Sequence, residues 1–347
     1  MKYKNILVTG GAGYIGSHAC FLLLEKGYKV YSIDSFVNSS QDSIENIKKL
    51  SQIYAKIENF RFFKGDIRNK EFLTRVFQIS IEENTPIDAV MHFAGLKSVN
   101  ESIHFPLKYW DVNLNGTINL IKVMDCFCCN TIIFSSSATV YNPHGKLPFN
   151  EESEKRPINN YGLTKFVIEE FLKSLKSAEN KIWKVSCLRY FNPIGAHHSG
   201  LIGEYFIKEP PNIFPNICRV ANGEISNLKL FGNDWPTKDG TCVRDFIHVM
   251  DLVDGHFAAL NYLEDLKVSE HIVFNLGTGI GTTILELINS FEKVNNIKIP
   301  YLIKKRREGD CAVSYANNNY ANLKLKWQPK RTLEEMCKDG WRFYRSR

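Results

Sequence analysis

Asn5-Ile-Leu-Val-Thr-Gly10-Gly-Ala-Gly-Tyr-Ile-Gly16 opens the chain with a short apolar run followed closely by glycines at 10, 11, 13 and 16. A helical stretch, His18 to Lys26, comes next and is stopped by Gly27; Lys29-Val-Tyr-Ser-Ile33 then runs to Asp34. Strand, glycine turn, helix, strand and terminal acid together make a βαβ unit with a phosphate-binding turn. Among Gly10, Gly13 and Gly16, one permits the tight turn, one lets the backbone approach a pyrophosphate, and one allows close helix packing. The first helical N–H groups face the phosphates. Asp34 is placed to bind ribose hydroxyls and to repel a 2′-phosphate, which favours NAD over NADP.

Working outward, the alternation continues. Phe60-Arg-Phe-Phe63 leads into Gly65-Asp66-Ile67, where an adenine-side contact would sit. Asp88 to Phe93 reads as a buried strand followed by Ala94-Gly-Leu-Lys97. Asn113 to Met124 reads as a helix, and Thr131-Ile-Ile-Phe134 as a strand running into Ser135-Ser-Ser-Ala-Thr139. Strands spaced by helices at this rhythm predict a Rossmann-type, doubly wound parallel α/β sheet. After about Arg189 the texture changes: Pro193, Gly195, Pro210, Pro211 and Pro215 punctuate a loop-rich region with short strands such as Leu228-Lys-Leu-Phe231. The expected division is an NAD-binding domain over 1–190, with a returning segment near 245–263, and a smaller α/β substrate-binding domain over 191–347.

The 347 residues carry a formal net charge of +7, but the basic residues are scattered apart from Lys304-Lys-Arg-Arg307, so nucleic acid is not expected as a partner. No apolar run approaches a membrane span. The nine cysteines show no disulfide framework, and Cys126-Phe-Cys-Cys129 lacks the second pair or histidines of a zinc site; these are read as buried or half-buried thiols at a helix end. A reducing, cytoplasmic setting and no metal are expected.

The chemistry is read from Tyr161-Gly-Leu-Thr-Lys165. On a helix these two side chains share a face, and a nearby ammonium favours the phenolate, turning a phenol of ordinary pKa about 10 into a base. Two further pairs, Tyr301/Lys305 and Tyr320/Lys324, have the same spacing and are read as solvated. Context separates the first from them. Ser135-Ser-Ser137 ends a predicted strand at the ligand-binding edge of the sheet, and the helix Tyr161 to Leu175 aims Lys165 back to that edge. A hydroxyl, a phenol and an ammonium beside a nicotinamide suit proton transfer from an alcohol coupled to hydride transfer.

With these motifs assembled, the chain resembles the extended short-chain dehydrogenase/reductase family. The motifs are Gly10 to Gly16, His92-Phe-Ala-Gly-Leu-Lys97, Ser135 to Tyr141 and Tyr161-Gly-x-x-Lys165. Leu188-Arg-Tyr-Phe-Asn-Pro193, Asp239-Gly-Thr-Cys-Val-Arg-Asp245 and Arg306-Arg-Glu-Gly-Asp310 narrow the resemblance to the UDP-glucose 4-epimerases, from about Lys4 to about Tyr344. The resemblance implies interconversion of UDP-galactose and UDP-glucose through a transient 4-keto sugar with NAD kept bound, hence a place in galactose metabolism. Tyr161 would take the 4-hydroxyl proton, Lys165 lower its pKa and bind the nicotinamide ribose, and Ser137 hydrogen-bond the reacting oxygen. It implies cofactor contacts at Tyr14, Ile15, Asp34, Asn38, Ser39, Asp66, Ile67, Phe93, Ala94, Gly95, Lys97, Asn113 and Tyr190. The nucleotide sugar would meet Lys97, Thr139, Phe191, Asn192, Asn212, Lys229, Leu230, Phe231, Arg244, Arg307 and Asp310, the arginines as bidentate pyrophosphate donors. Helices around 114–126 and 161–175 would form a homodimer bundle.

The chain departs from the family pattern at Val112, Asn142 and Cys242. Ser314 aligns with a gate residue that is a bulky Tyr in epimerases restricted to glucose and galactose, and small in those admitting N-acetylated sugars. The expectation is that Ser314 leaves room for the 2-acetamido group of UDP-GlcNAc and UDP-GalNAc. Other readings stay open: a nucleotide-sugar dehydratase, against which Ser137-Ala-Thr offers no acid; a uronate epimerase or decarboxylase; and, more distantly, a cofactor-sensing regulator that kept the fold.

Overall fold

The structure is a computed structural model that describes residues 3–206, 209–307 and 309–347. The chain begins with β1 (Asn5–Thr9), α1 (Tyr14–Glu25), β2 (Lys29–Asp34), α2 (Gln41–Tyr54), β3 (Phe60–Lys64), α3 (Lys70–Glu82) and β4 (Ala89–His92). Short helices α4 (Val99–His104) and α5 (Pro106–Tyr109) lead through a π-helical turn, Trp110–Asn115, into α6 (Gly116–Cys126). Then come β5 (Thr131–Ser137), α7 (Asn160–Ser174), β6 (Lys184–Tyr190), β7 (Asn192–Ile194), α8 (Ile213–Ala221), β8 (Leu228–Phe231), β9 (Val243–Arg244) and β10 (Phe246–His248). The remainder is α9 (Val249–Asp265), β11 (Glu270–Leu276), β12 (Thr282–Thr283), α10 (Ile284–Asn295), β13 (Tyr301–Lys304), β14 (Val313–Ser314), α11 (Asn319–Leu325) and α12 (Leu333–Arg345).

The main sheet is the parallel α/β sheet expected, in the order β11-β6-β5-β4-β1-β2-β3. Its inner strands β1, β2, β4 and β6 are almost wholly buried, as parallel strands covered on both faces must be, while the edge strands β3 and β11 are partly exposed. The order reverses between β1 and β4, and ligands of open α/β sheets bind at the carboxyl ends beside such a reversal. One apolar cluster on one face joins α1 and α2 to α9; a second, on the other face, joins α3, α6 and α7. A third, built from α8, β8, α10 and α12, is the core of the smaller lobe.

Three local readings change. The first helix starts at Tyr14 rather than near His18, because Gly13 already serves as its N-cap. The helix expected from Asn113 is the end of a longer helical run that passes through the π-turn, a distortion that often marks functional positions. Cys129 is buried at the end of α6, whereas Cys126 and Cys128 are exposed rather than half-buried. The sheet also takes a seventh strand, β11, beyond the returning segment near 245–263, because its apolar residues pair with β6 and not with the smaller lobe.

Candidate active site

The glycine turn sits in the crevice between β1 and β4. Gly10 has φ +70°, and a Cβ there would meet Ala94 N at 2.7 Å; at Gly16 a Cβ would stand 2.1 Å from the Gly10 carbonyl oxygen. Only glycine allows the two loops this approach. Gly13 caps α1 without a side-chain bond, which leaves first-turn N–H groups to a phosphate. At the end of β2, Asp34 accepts from Ala12 N (3.0 Å), Phe36 N (2.9 Å) and Ser39 Oγ (2.8 Å), so its carboxylate is fixed beside the turn. Asn38 is exposed next to it. A cradle too tight for any Cβ, an uncapped helix start and an oriented acid fit an adenine dinucleotide.

The catalytic group expected from sequence converges at the end of β5. Tyr161 opens α7 under the Asn159 cap, and Lys165 Nζ donates to the Ser135 carbonyl at 2.7 Å. The ammonium lies 4.8 Å from the Phe134 ring centroid and 5.8 Å from that of Tyr161. Ser137 Oγ is met by Thr139 N (3.2 Å) and Thr139 Oγ1 (2.9 Å), which turns the hydroxyl toward Tyr161. Tyr301 and Tyr320, by contrast, stand exposed on β13 and α11.

In the protein alone Tyr161 is pushed up to about 12 by burial, with the Ser137 hydroxyl working the other way. Lys165 is itself pulled down to about 8 by burial, held up in part by Glu169. Proximity of the lysine therefore does not by itself lower the phenol: the cation is desolvated and bonded to Ser135. A positive charge or a further hydrogen-bond donor at the phenol oxygen would bring it down.

Other expected cofactor residues are placed as follows. Phe93, Ala94 and Gly95 line the loop after β4, and a Cβ at Gly95 would meet Asn113 Oδ1 at 3.1 Å and Lys165 Nζ at 3.9 Å. Asn113 is fully buried, taking Leu96 N (2.8 Å) and giving to Leu96 O (3.2 Å) and Thr164 Oγ1 (3.1 Å), so its side chain clamps the loop to α7 instead of reaching out. Asp66 is engaged by Arg68, which also reaches Asp111 (2.7 Å), and Ile67 is buried against Gly116. The Tyr14 hydroxyl donates to Gly195 O (2.7 Å) and that of Tyr190 pairs with His256 Nε2, so both phenols are spent inside the protein and only their main chain or ring faces can meet a ligand. Ile15 is half-buried at the start of α1.

The expected nucleotide-sugar residues lie mostly on the smaller lobe. On β8 the side chains alternate: Lys229 and Phe231 point outward, while Leu228 and Leu230 are buried in the third cluster, so Leu230 can offer a ligand its main chain only. Arg307 lies over the Phe231 ring at 4.8 Å and pairs with Asp310 (3.0 Å), and Arg244 comes within 3.9 Å of the same carboxylate. Glu308, between them in the quoted motif, lies outside the described residues. Arg244 is further held by Val243 O (2.8 Å) and Cys311 O (2.9 Å). Lys97 pairs with Glu204 at 2.6 Å, Phe191 is buried, Asn192 is on β7, and Asn212 is the N-cap of α8 without a side-chain bond. Ser314 pairs with Arg244 in the β9–β14 register, and Ala316 packs with Val140, Tyr141, Phe149 and Phe191, which seats this strand against the turn after Ser137.

Several residues of the site were not legible as such. Asp245 accepts from Thr278 N (2.7 Å), Thr278 Oγ1 (2.6 Å), Gly279 N (3.0 Å) and Ala316 N (3.1 Å), organising the loops around β9. Glu169 and Arg189 form a buried pair under Lys165 at 2.6 Å. Their signals were present: a Glu one turn beyond the lysine, and a lone Arg within an apolar strand. His256 had none, being one polar residue in a long amphipathic helix.

Comparison with known proteins bears on the same regions. Residues 7–340 match the family model described as GDP-mannose 4,6 dehydratase. UDP-glucose 4-epimerase 2 of Arabidopsis thaliana is 47% identical over 97% of this chain and 94% of that protein. The crystal structure of UDP-glucose 4-epimerase from Stenotrophomonas maltophila with bound NAD and formylated UDP-arabinopyranose superposes with TM-score 0.92 at 41% identity, covering 99% of this chain and 98% of that one. The enzyme from Bifidobacterium longum in complex with NAD+ and UDP gives TM-score 0.90 at 40% identity, covering 99% and 98%.

Proposed function

The chain belongs to the UDP-glucose 4-epimerases, within the extended short-chain dehydrogenases/reductases, and from that premise we propose how its own residues work. It is an NAD-dependent isomerase that interconverts UDP-galactose and UDP-glucose, with a role in galactose metabolism. The observation that carries this reading is the meeting of Ser137, Tyr161 and Lys165 beside a glycine cradle at the sheet's reversal point. The Gly10–Gly16 turn and Asp34 would hold NAD, which when bound would supply a hydride acceptor and, oxidised, a positive charge in the site.

Ser137 holds O4 by a hydrogen bond, and Tyr161 takes the 4-hydroxyl proton and later returns it to the same oxygen. A positive charge placed against Tyr161 would oppose the burial that raises it in the free protein. Exclusion of water by the buried surroundings of Tyr161 and Lys165 strengthens each of these interactions. At the far end Arg244 and Arg307, spaced by Asp310, take the pyrophosphate, Phe231 and the β8 main chain take the base, and Asn212, Lys229 and Lys97 line the approach. Residues 1–190, the returning segment near 245–263 and β11 form the NAD domain, and the α8, β8, α10 and α12 region forms the core of the UDP-sugar domain.

Ser314 extends the reading to N-acetylated UDP-sugars. A small side chain at Ser314, on the strand seated near the turn after Ser137, would leave space for a sugar 2-substituent. The protein is further read as a homodimer through the helices around 114–126 and 161–175; Leu163 on α7, and Val99, Ile103, Phe105 and Leu107 on and between the adjoining α4 and α5, expose apolar side chains, with Leu107 83% exposed. A monomeric mass by light scattering at micromolar protein would refute this. No described helix is long and apolar enough to cross a membrane, and cytoplasmic residence is proposed with the free cysteines as support.

The test is a coupled assay of UDP-galactose to UDP-glucose without added NAD. Wild type should turn over, and Tyr161→Phe should fall by about 10²–10⁴-fold, the usual contribution of a positioned acid–base group. Inactive wild type, or a phenylalanine variant as fast as wild type, would defeat the reading.

A further inference from the structure

Three consecutive serines at the end of β5 address three residues of α7. Ser135 gives its carbonyl to the Lys165 ammonium, Ser136 donates its hydroxyl to Glu169 Oε1, and Ser137 faces the Tyr161 phenol. Tyr161, Lys165 and Glu169 recur at every fourth position and so form one stripe on the helix. Glu169 is only 2% exposed, and Arg189, also 2% exposed, forks onto it with Nη2 at 2.6 Å and Nε at 3.0 Å. The remaining Arg189 nitrogen, Nη1, donates to Tyr141 Oη (2.9 Å) and Glu151 O (3.0 Å), and the Tyr141 hydroxyl donates to Asn275 Oδ1 (2.6 Å). Stability alone does not call for such a pair, because apolar replacements of a buried ion pair are often neutral or stabilising.

We propose that Glu169, clamped by Arg189 and Ser136, is a positioning residue that keeps the shared proton of the Tyr161–Lys165 pair on the lysine and so leaves Tyr161 as the base. This deepens the epimerase reading and rests on it. Once the pair has lost one proton it has two arrangements, phenolate with ammonium or phenol with amine, and only the first is active. A carboxylate one helical turn from Lys165 and two turns from Tyr161 favours the ammonium more than it disfavours the phenolate, the more so away from water. Its carboxylate end is the nearer to Lys165 because Glu169 shares α7 with the lysine, while Arg189 reaches in from β6.

No other described neighbour does this work. Facing Lys165 are Cys187 from β6, whose thiol burial keeps protonated, and His92 from β4, which burial holds neutral down to about 3. Tyr190, whose phenol is also kept protonated by burial, faces Tyr161 from the end of β6.

The test is the pH dependence of kcat and kcat/KM for UDP-galactose in the holoenzyme, with thermal stability and bound NAD recorded beside it. Glu169→Gln should lower the plateau roughly 10-fold and move the acid limb toward lower pH by about one unit, the range expected for removing a nearby charge. The double variant Glu169→Gln/Arg189→Met, which buries no unpaired cation, should show the same shift, and Glu169→Asp should restore the wild-type limb. Active variants whose limb stays at the wild-type position, whatever their stability, would overturn the proposal while leaving the epimerase reading intact. An inactive wild type would overturn the epimerase reading and this proposal with it.

Discussion

Gly16→Ala is the most direct perturbation of the cofactor cradle. The added methyl would stand 2.1 Å from the Gly10 carbonyl oxygen, 2.9 Å from Gly10 C and 3.0 Å from Gly11 Cα, all main-chain atoms that cannot rotate away. A carbon–oxygen contact wants about 3.3 Å or more, so α1 must back off from the turn by roughly an ångström. That movement is resisted, because α1 is buried from Gly16 to Leu24 and locked against α2 and α9. Overpacking of this kind costs about 1–3 kcal/mol. Because the strained turn is also the phosphate cradle, a loss of about 2–3 kcal/mol in cofactor binding corresponds to roughly 30- to 150-fold weaker NAD. The assay is NAD per protomer after gel filtration, together with titration of the stripped protein. Gly27→Ala is the control: no atom lies within 4 Å of its Cβ, but φ +85° strains any L-residue, so it should lower stability by about 1–2 kcal/mol without releasing NAD. A Gly16→Ala protein that retains NAD at wild-type stoichiometry and affinity would refute the assignment of this turn.

Ser314→Tyr should cut turnover of UDP-GalNAc by at least about 10-fold while UDP-galactose turnover persists, since a ring that fills a sugar 2-substituent pocket acts through a steric clash of a few kcal/mol; a wild type that never turns over UDP-GlcNAc at high concentration defeats the premise. Asp245→Ala strands three backbone N–H groups at Thr278, Gly279 and Ala316, at about 1–3 kcal/mol for each group left unpaired, so a large drop in melting temperature and a raised KM are expected, and an unchanged denaturation curve would contradict the role given to this carboxylate. Acid should destabilise the fold before its carboxylates titrate. Burial holds His18 and His92 down to about 3 and His197 and His256 to about 4, below the ordinary 6.5. The unfolded chain therefore binds the extra protons below pH 6.5, and stability, complete above that, falls toward pH 4 by up to about 1.4 kcal/mol per pH unit for each imidazole. A melting temperature flat from pH 7 to 5.5 would contradict this.

What the sequence determined by itself was everything that rests on near neighbours. The strand–glycine–helix unit, the acid closing β2, the alternation of strands and helices, and the Tyr161–Lys165 spacing are all set by residues within a turn or a strand length of one another, where period and turn chemistry act directly. The resemblance to a known family then supplied the distant partners of the site. Only the tertiary structure decided which groups share a dielectric. It placed β11 beside β6, turned Asn113, Tyr14 and Tyr190 inward to protein partners, and buried Leu230 under β8. It also buried Tyr161 and Lys165 together, which raises the phenol and lowers the ammonium. Spacing on a helix says that two groups are close, but the proton goes where burial and the third charge, Glu169, leave it, and both of those are properties of the packed fold.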